Sequence, residues 1–315
     1  MNTPDDPHPT ALATALEDRG FESLWYGEHS HIPVAQKTPY PPGGGMPDSY
    51  KNMMDPYLSL MTAANATTTL RFGTGIALLM ERDIFSQAKT IATLDRLSGG
   101  RLMVGTGVGW NQEEFENISP HPFNRRYAVL RETVEATRAI WTNNKANYQG
   151  RYVKFDPVWA NPKPLQAGGP KVFLGTMGPL GIQHAARWAD GWYPVDVGMG
   201  DVAESVANFK ELVKEAGRDP DVGLIREPFV SGADVIIDKM VQSLDNPSAG
   251  FTLLFSPEPF PGFELELDWV RPELGGNWYV SNSLGMEGWL CPALFKYFES
   301  APPKIFAQFK NGKRS

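Results

Sequence analysis

Two apolar runs, Leu70-Arg-Phe-Gly-Thr-Gly-Ile-Ala-Leu-Leu79 and Arg101-Leu-Met-Val-Gly-Thr-Gly-Val-Gly-Trp-Asn111, flank one helix-like stretch, Ser86–Leu97, that closes on Ser98-Gly-Gly100. A strand that passes through a single helix into a second strand makes a parallel pair, and strands apolar along their length are covered on both faces. Each run begins with bulky residues and turns glycine-rich towards its end. Missing side chains at a strand end let a flat molecule lie against the backbone. The same glycines also suit tight packing inside a small barrel, and the residues alone leave both readings open.

The rest of the first two thirds follows the same alternation. Thr10–Arg19 reads as a helix with Leu12 and Leu16 on one face and Gly20 as its left-handed cap, and Phe21–Tyr26 as a buried strand. His31–Pro56 is dense in Pro and Gly, including Tyr40–Gly45, and far exceeds the usual connection of about 4–6 residues, the mark of a lid or binding loop. Helices are expected over Asp55–Ala66, Arg125–Trp141, Leu180–Ala189 and Val202–Ala216, strands over Lys171–Gly175 and Gly191–Val195, and a small hairpin around Tyr148–Phe155. Strand and helix alternate to about Arg218, which is the pattern of a parallel sheet with helical crossovers. Beyond it, Phe251–Phe255, Phe263–Trp269 and Asn277–Ser281 alternate polar with apolar residues, as antiparallel strands with one wet face do. Residues 1–220 and 221–315 are therefore expected to form two domains, a (β/α) unit and a small α+β unit.

Composition excludes several classes of partner. With 36 acidic against 29 basic residues and a formal charge of −7, the chain has no basic footprint for nucleic acid. The single cysteine, Cys291, excludes an internal disulfide and a thiolate metal cluster and fits a reducing, cytoplasmic compartment. The first residues are polar and acidic, and no apolar run reaches membrane-spanning length, so neither export nor membrane insertion is expected.

Three motifs carry chemistry. Glu28-His29-Ser30-His31 follows the first clear strand, and a histidine beside a carboxylate is equipped to exchange protons near neutral pH. His29 could equally be a hydrogen-bonded core residue. His-x-His after a barrel strand also begins the metal site of zinc hydrolases, but that reading needs further ligands, and His184 falls in a helix and His121 in a Pro-flanked loop. Gly105-Thr-Gly-Val-Gly-Trp-Asn111 lacks the spacing of a dinucleotide fingerprint and reads as a bare strand end that leads Trp110 to a pocket wall, or to the core, and Asn111 to a hydrogen-bonding position. Gly175-Thr-Met-Gly-Pro-Leu-Gly181 lies between strand and helix, where free N–H groups and the helix dipole attract an anion.

Taken together, Ser23-Leu-Trp-Tyr-Gly-Glu-His29, the Leu70–Asn111 block and Val172–Gly178 through Ala185–Pro194 resemble the luciferase-like monooxygenase superfamily, and within it the coenzyme F420-dependent oxidoreductases, over roughly residues 10 to 220. The resemblance implies a TIM-type barrel with its active site at the carboxyl ends of the strands. It implies hydride transfer between F420, or alternatively FMN, and a small organic substrate, with His29 handling the proton and Glu28 orienting or tuning it. Thr74, Gly75 and Ile76 would support the ring through a bulge with a cis Gly75–Ile76 peptide. Gly109, Trp110 and Asn111 would line the pocket, and Gly175, Thr176, Met177 and Gly178 would hold the phosphate, although a second glycine is more usual where Met177 stands. The barrel is expected to lack its first strand, before Thr10, and its last two, which would leave edges open to aggregation or to pairing with another copy. The tail resembles a small domain family of unknown function, so the chain reads as a fusion. An inactive barrel joined to a partner-binding module is the alternative to an enzyme.

Overall fold

The structure, a computed structural model, describes residues 2–18, 21–41, 45–194 and 202–220. The expected tail domain at 221–315, the Gly20 cap and the end of the Gly191–Val195 strand lie outside the described residues. In chain order the elements are α1 (Pro9–Asp18), β1 (Ser23–Tyr26), α2 (Pro56–Ala64), β2 (Arg71–Ala77), α3 (Ile84–Leu97), β3 (Leu102–Gly107), α4 (Gln112–Ile118), α5 (Arg126–Thr142), β4 (Ala146–Gln149), β5 (Lys154–Val158), β6 (Val172–Gly175), α6 (Pro179–Trp188), β7 (Gly191–Tyr193) and α7 (Val202–Glu215). Strands β1, β2, β3, β6 and β7 form one sheet in that order, with every neighbouring pair parallel. Strands β4 and β5 pair antiparallel as the expected hairpin. A parallel sheet joined through helices is an α/β fold, consistent with a TIM-type barrel. Residues 2–8 hold turns and bends and no strand.

Successive strand residues serve two different cores, because side chains alternate across a sheet. Leu24, Tyr26, Phe72, Leu102, Val104, Val172, Leu174 and Trp192 pack with the helices in the main cluster. Trp25, Met103, Phe173 and Tyr193 lie in a separate cluster, with Ile76 packed against it. The glycines of the Leu70–Asn111 block explain how that second cluster fits. A Cβ on Gly73 would collide with the Trp25 ring, and one on Gly105 with the Thr74 carbonyl. The room left by these glycines is thus taken up by the protein itself, and the tight-packing reading holds for Gly73 and Gly105. The β2–β3 register slips between Thr74 and Ala77, and two buried threonines span the slip. Thr74 Oγ1 donates to the Gly105 carbonyl at 2.7 Å and Thr106 Oγ1 to the Ala77 carbonyl at 2.9 Å. The Gly75–Ile76 peptide within it is cis.

Helix starts follow capping chemistry. Asp55 accepts from the Tyr57 and Leu58 amides ahead of α2, and Asp83 from the Ser86 amide ahead of α3. The latter sets the start of α3 at Ile84, two residues before the expected Ser86. Helix α4 has no counterpart in the expected alternation. Its signal is the spacing Asn111-x-x-Glu114, a cap residue followed three positions later by Glu, which is legible once the preceding strand is known to end at Gly107.

The packing makes a stability prediction. Gly105→Ala forces a methyl group onto backbone that cannot swing away and is expected to cost about 1–3 kcal/mol in urea unfolding. Gly45→Ala, where nothing among the described residues lies within 4 Å, is expected to stay within about 0.5 kcal/mol of the parent. Equal midpoints for the two variants would contradict this account of the glycine block.

Candidate active site

All five strands of the main sheet point the same way, so their carboxyl ends open onto one edge. The end of β1 is tied to β2 there, because the Glu28 amide donates to the Ile76 carbonyl at 3.1 Å. The Ile76 side chain lies over Gly107 and Gly175 at the ends of β3 and β6, where a Cβ on either would strike it. Gly175 in turn pairs with Gly107 and with Tyr193. Gly75, Ile76, Gly175 and Thr176 are therefore brought together at one mouth.

His29 stands beside this junction. Its Nδ1 lies 2.6 Å from Glu114 Oε2, with the two side chains 8% and 1% exposed. Its ring is 5.2 Å from Tyr50 and 6.0 Å, edge-on, from Trp110. Tyr40 completes the group, 5.5 Å from both Tyr50 and Trp110, and its hydroxyl meets that of Tyr50 at 3.2 Å. Both tyrosines come from the long loop expected to act as a lid, which folds inward and is latched to α4. Glu113 accepts from the Lys37 and Thr38 amides and from Thr38 Oγ1 at 2.7 Å. Trp110 thus packs in one aromatic group with His29, Tyr40 and Tyr50.

Glu28 does not orient His29. Neighbouring residues on an extended segment project to opposite sides. The Glu28 carboxylate accordingly turns away, accepts from the Leu78 amide at 2.8 Å and pairs with the Arg82 guanidinium. Burial raises the Glu28 pKa above its ordinary value, with Arg82 and the Leu78 amide pulling the other way. Arg82 also donates to Asp55 at 2.7 Å and lies over the Tyr57 ring. The acid paired with His29 is Glu114, 85 residues further along, which no local pattern around His29 announces.

Behind that pair sits a second buried acid. Glu81 has its pKa pushed from 4.5 up to about 8, first by burial and then by the charges of Glu114 and Glu28. Gly109, with φ of 65°, makes the turn that passes close to it; a Cβ there would come 3.5 Å from Glu81 Oε1. Among the described residues, Glu81 Oε2, Glu114 Oε1 and Asn111 Nδ2 are buried without a protein hydrogen-bond partner.

Two expected ligand-binding side chains serve the fold instead. Thr74 is fully buried with its hydroxyl committed to Gly105, and Asn111 is buried as the cap of α4, accepting from the Glu114 amide at 3.1 Å. The Gly175–Gly178 turn is arranged differently. Thr176 Oγ1 meets the Tyr127 hydroxyl at 3.2 Å, its carbonyl accepts from Trp192 Nε1, and Met177 is exposed. Among the described residues no side chain caps α6 and nothing lies within 4 Å of a Cβ on Gly178, so the positive end of that helix has no described partner. No group of three or more His, Cys, Asp or Glu side chains among the described residues is arranged to hold a metal. His31 meets Ser30 and Asn117, and His184 accepts from Trp188.

Comparison with known proteins gives the lineage of this chain. The luciferase-like monooxygenase family model matches residues 8–246. The chain belongs to that family. A second model, of a family of unknown function, matches residues 222–310 of this luciferase-like chain. An uncharacterized protein of Mycobacterium tuberculosis is 42% identical over 217 residues, covering 67% of this chain and 75% of its own length. The coenzyme F420 dependent tetrahydromethanopterin reductase from Methanopyrus kandleri is 26% identical with a TM-score of 0.55, over 70% of this chain and 61% of that one. The monooxygenase RslO1 from Streptomyces bottropensis is 25% identical with a TM-score of 0.57, over 68% and 61%. This luciferase-like chain thus spans 61% of each of these two solved chains. Among its described residues no helix is long and apolar enough to cross a membrane.

The buried acid makes a pH prediction. Between about pH 4.5 and 8 the unfolded chain releases the Glu81 proton that the folded chain keeps, so this group lowers stability as pH rises through that window. Glu81→Gln removes the dependence. Its stability relative to the parent, measured by urea unfolding, is expected to be greater at pH 8 than at pH 5 by on the order of a few kcal/mol. Parallel curves for parent and variant would contradict the burial of a neutral acid here.

Proposed function

We propose that this luciferase-like protein is an oxidoreductase that moves a hydride between coenzyme F420 and a small organic substrate, with His29 exchanging the accompanying proton. The observation that carries the reading is the His29 imidazole, almost buried, paired to an acid, beside Trp110, and one residue past Glu28, whose amide is tied to Ile76. Ile76 and the Gly75 backbone would support the ring, Trp110 would flank it, and the turn Gly175, Thr176, Met177, Gly178 would take the phosphate at the open end of α6. When bound, the deazaflavin supplies or accepts the hydride at a ring carbon.

The chain's own residues do the remaining work. Tyr40, Tyr50 and Trp110 would exclude water from the substrate side and favour an apolar or moderately polar molecule. His29 would give or take a proton in step with hydride transfer. F420 is favoured by the F420-dependent reductase among the similar structures, with FMN as the alternative. Residues 1–220 would carry this chemistry in the cytoplasm, and residues 221–315 would form a separate unit, a division supported by the second family match.

Titration with F420 and FMN side by side tests the reading. One of them is expected to bind with a perturbed ring absorbance; refusal of both would end the proposal. His29→Ala is expected to hold cofactor affinity within about tenfold, or 1.4 kcal/mol, while turnover falls by roughly a hundredfold or more. Unchanged turnover in that variant would remove His29 from the chemistry.

A further inference from the structure

We propose that Glu114 is the positioning residue that sets the tautomer of His29, holding the proton on Nδ1 so that Nε2 is the ring atom left to exchange a proton with substrate. The inference rests on the reading above that His29 handles the proton.

Four observations carry it. Glu114 opens α4, where a Glu three residues after the cap ordinarily turns back to the cap's own amide. Here the carboxylate points to His29 instead, 2.6 Å from Nδ1, while its own amide is capped by Asn111. Both side chains are nearly excluded from water, so the contact is not a screened surface pair, and with the carboxylate ionised it is a charge-assisted hydrogen bond. An ionised carboxylate can only accept, which obliges Nδ1 to carry the hydrogen; the bond one ring nitrogen makes decides the state of the other. The Tyr50 and Trp110 rings flank the imidazole and restrict its rotation. The long loop fixes the same helix from outside through Thr38 and Glu113, so the carboxylate and the wall of the mouth are held on one element.

A purely structural role for Glu114 is separable from this one. The test is long-range proton–nitrogen NMR of the imidazoles in 15N-labelled full-length protein at neutral pH, with the His29 signals assigned by their loss in His29→Asn. The parent is expected to show the Nδ1-protonated form. Glu114→Met, of similar length and without an acceptor, is expected to move His29 towards the Nε2-protonated form. Glu114→Gln, which can both donate and accept, is expected to give a mixture and serves if the Met variant does not fold. In both variants turnover should fall at least roughly tenfold, with cofactor affinity within about threefold. An Nε2-protonated His29 in the parent, or one tautomer unchanged across parent and variants, overturns the proposal. A tautomer that shifts while His29→Ala keeps full turnover upholds the hold of Glu114 on the ring and removes only the assignment of His29 to the chemistry.

Discussion

Parallel strands cannot be joined by tight turns, so each must return through a helix, and all of their carboxyl ends then collect on one edge of the sheet. In this chain that constraint brings five strand ends together from residues that span more than half of its length. The mouth built there depends on the layer beneath it. Trp25, Met103, Phe173 and Tyr193 fill the inner face, and Trp25 can do so only because Gly73 offers it no side chain. Filled below by aromatic rings and bridged above by Ile76, the edge becomes a floor on which chemistry can be arranged.

The chemistry is arranged around buried charge. Glu28, Glu81 and Glu114 all lie out of water within one region, and each meets the cost of burial differently. Glu28 has Arg82 and an amide, Glu114 has His29, and Glu81, with no partner on Oε2 among the described residues, keeps its proton to higher pH. Removing Arg82 would strand a buried carboxylate, and Asp55, already the cap of α2, joins the same ion group. The region therefore couples helix caps, the β1–β2 junction and the histidine into one electrostatic unit.

Much of the backbone was legible from residue pattern. The parallel strands at Phe72, Val104 and Leu174, the helix through Leu130 and Val134, and the hairpin at Tyr148 each carry a local periodicity that needs no partner to be recognised. That β2, β3 and β6 end side by side around Ile76, Gly107 and Gly175 followed from topology once the strands were parallel. Helix α4 was not legible, because seven residues of mixed polarity after a glycine-rich strand end give too short a stretch for periodicity to register. Thr74 and Asn111 carry polar groups suited to a ligand, and only their neighbours show that the sheet and a helix cap already use them.

Residue order by itself determined the alternation of strand and helix, the family and the place of His29 at a strand end, because these depend on short-range periodicity and on motifs a few residues long. Tertiary structure decided which acid serves that histidine and what occupies the space above the glycines. Adjacent residues on extended chain face apart, so Glu28 was committed to Arg82 and the pairing fell to Glu114 from another element. Such a contact depends on how a loop, a strand and a helix pack in space, and sequence separation carries no trace of that distance.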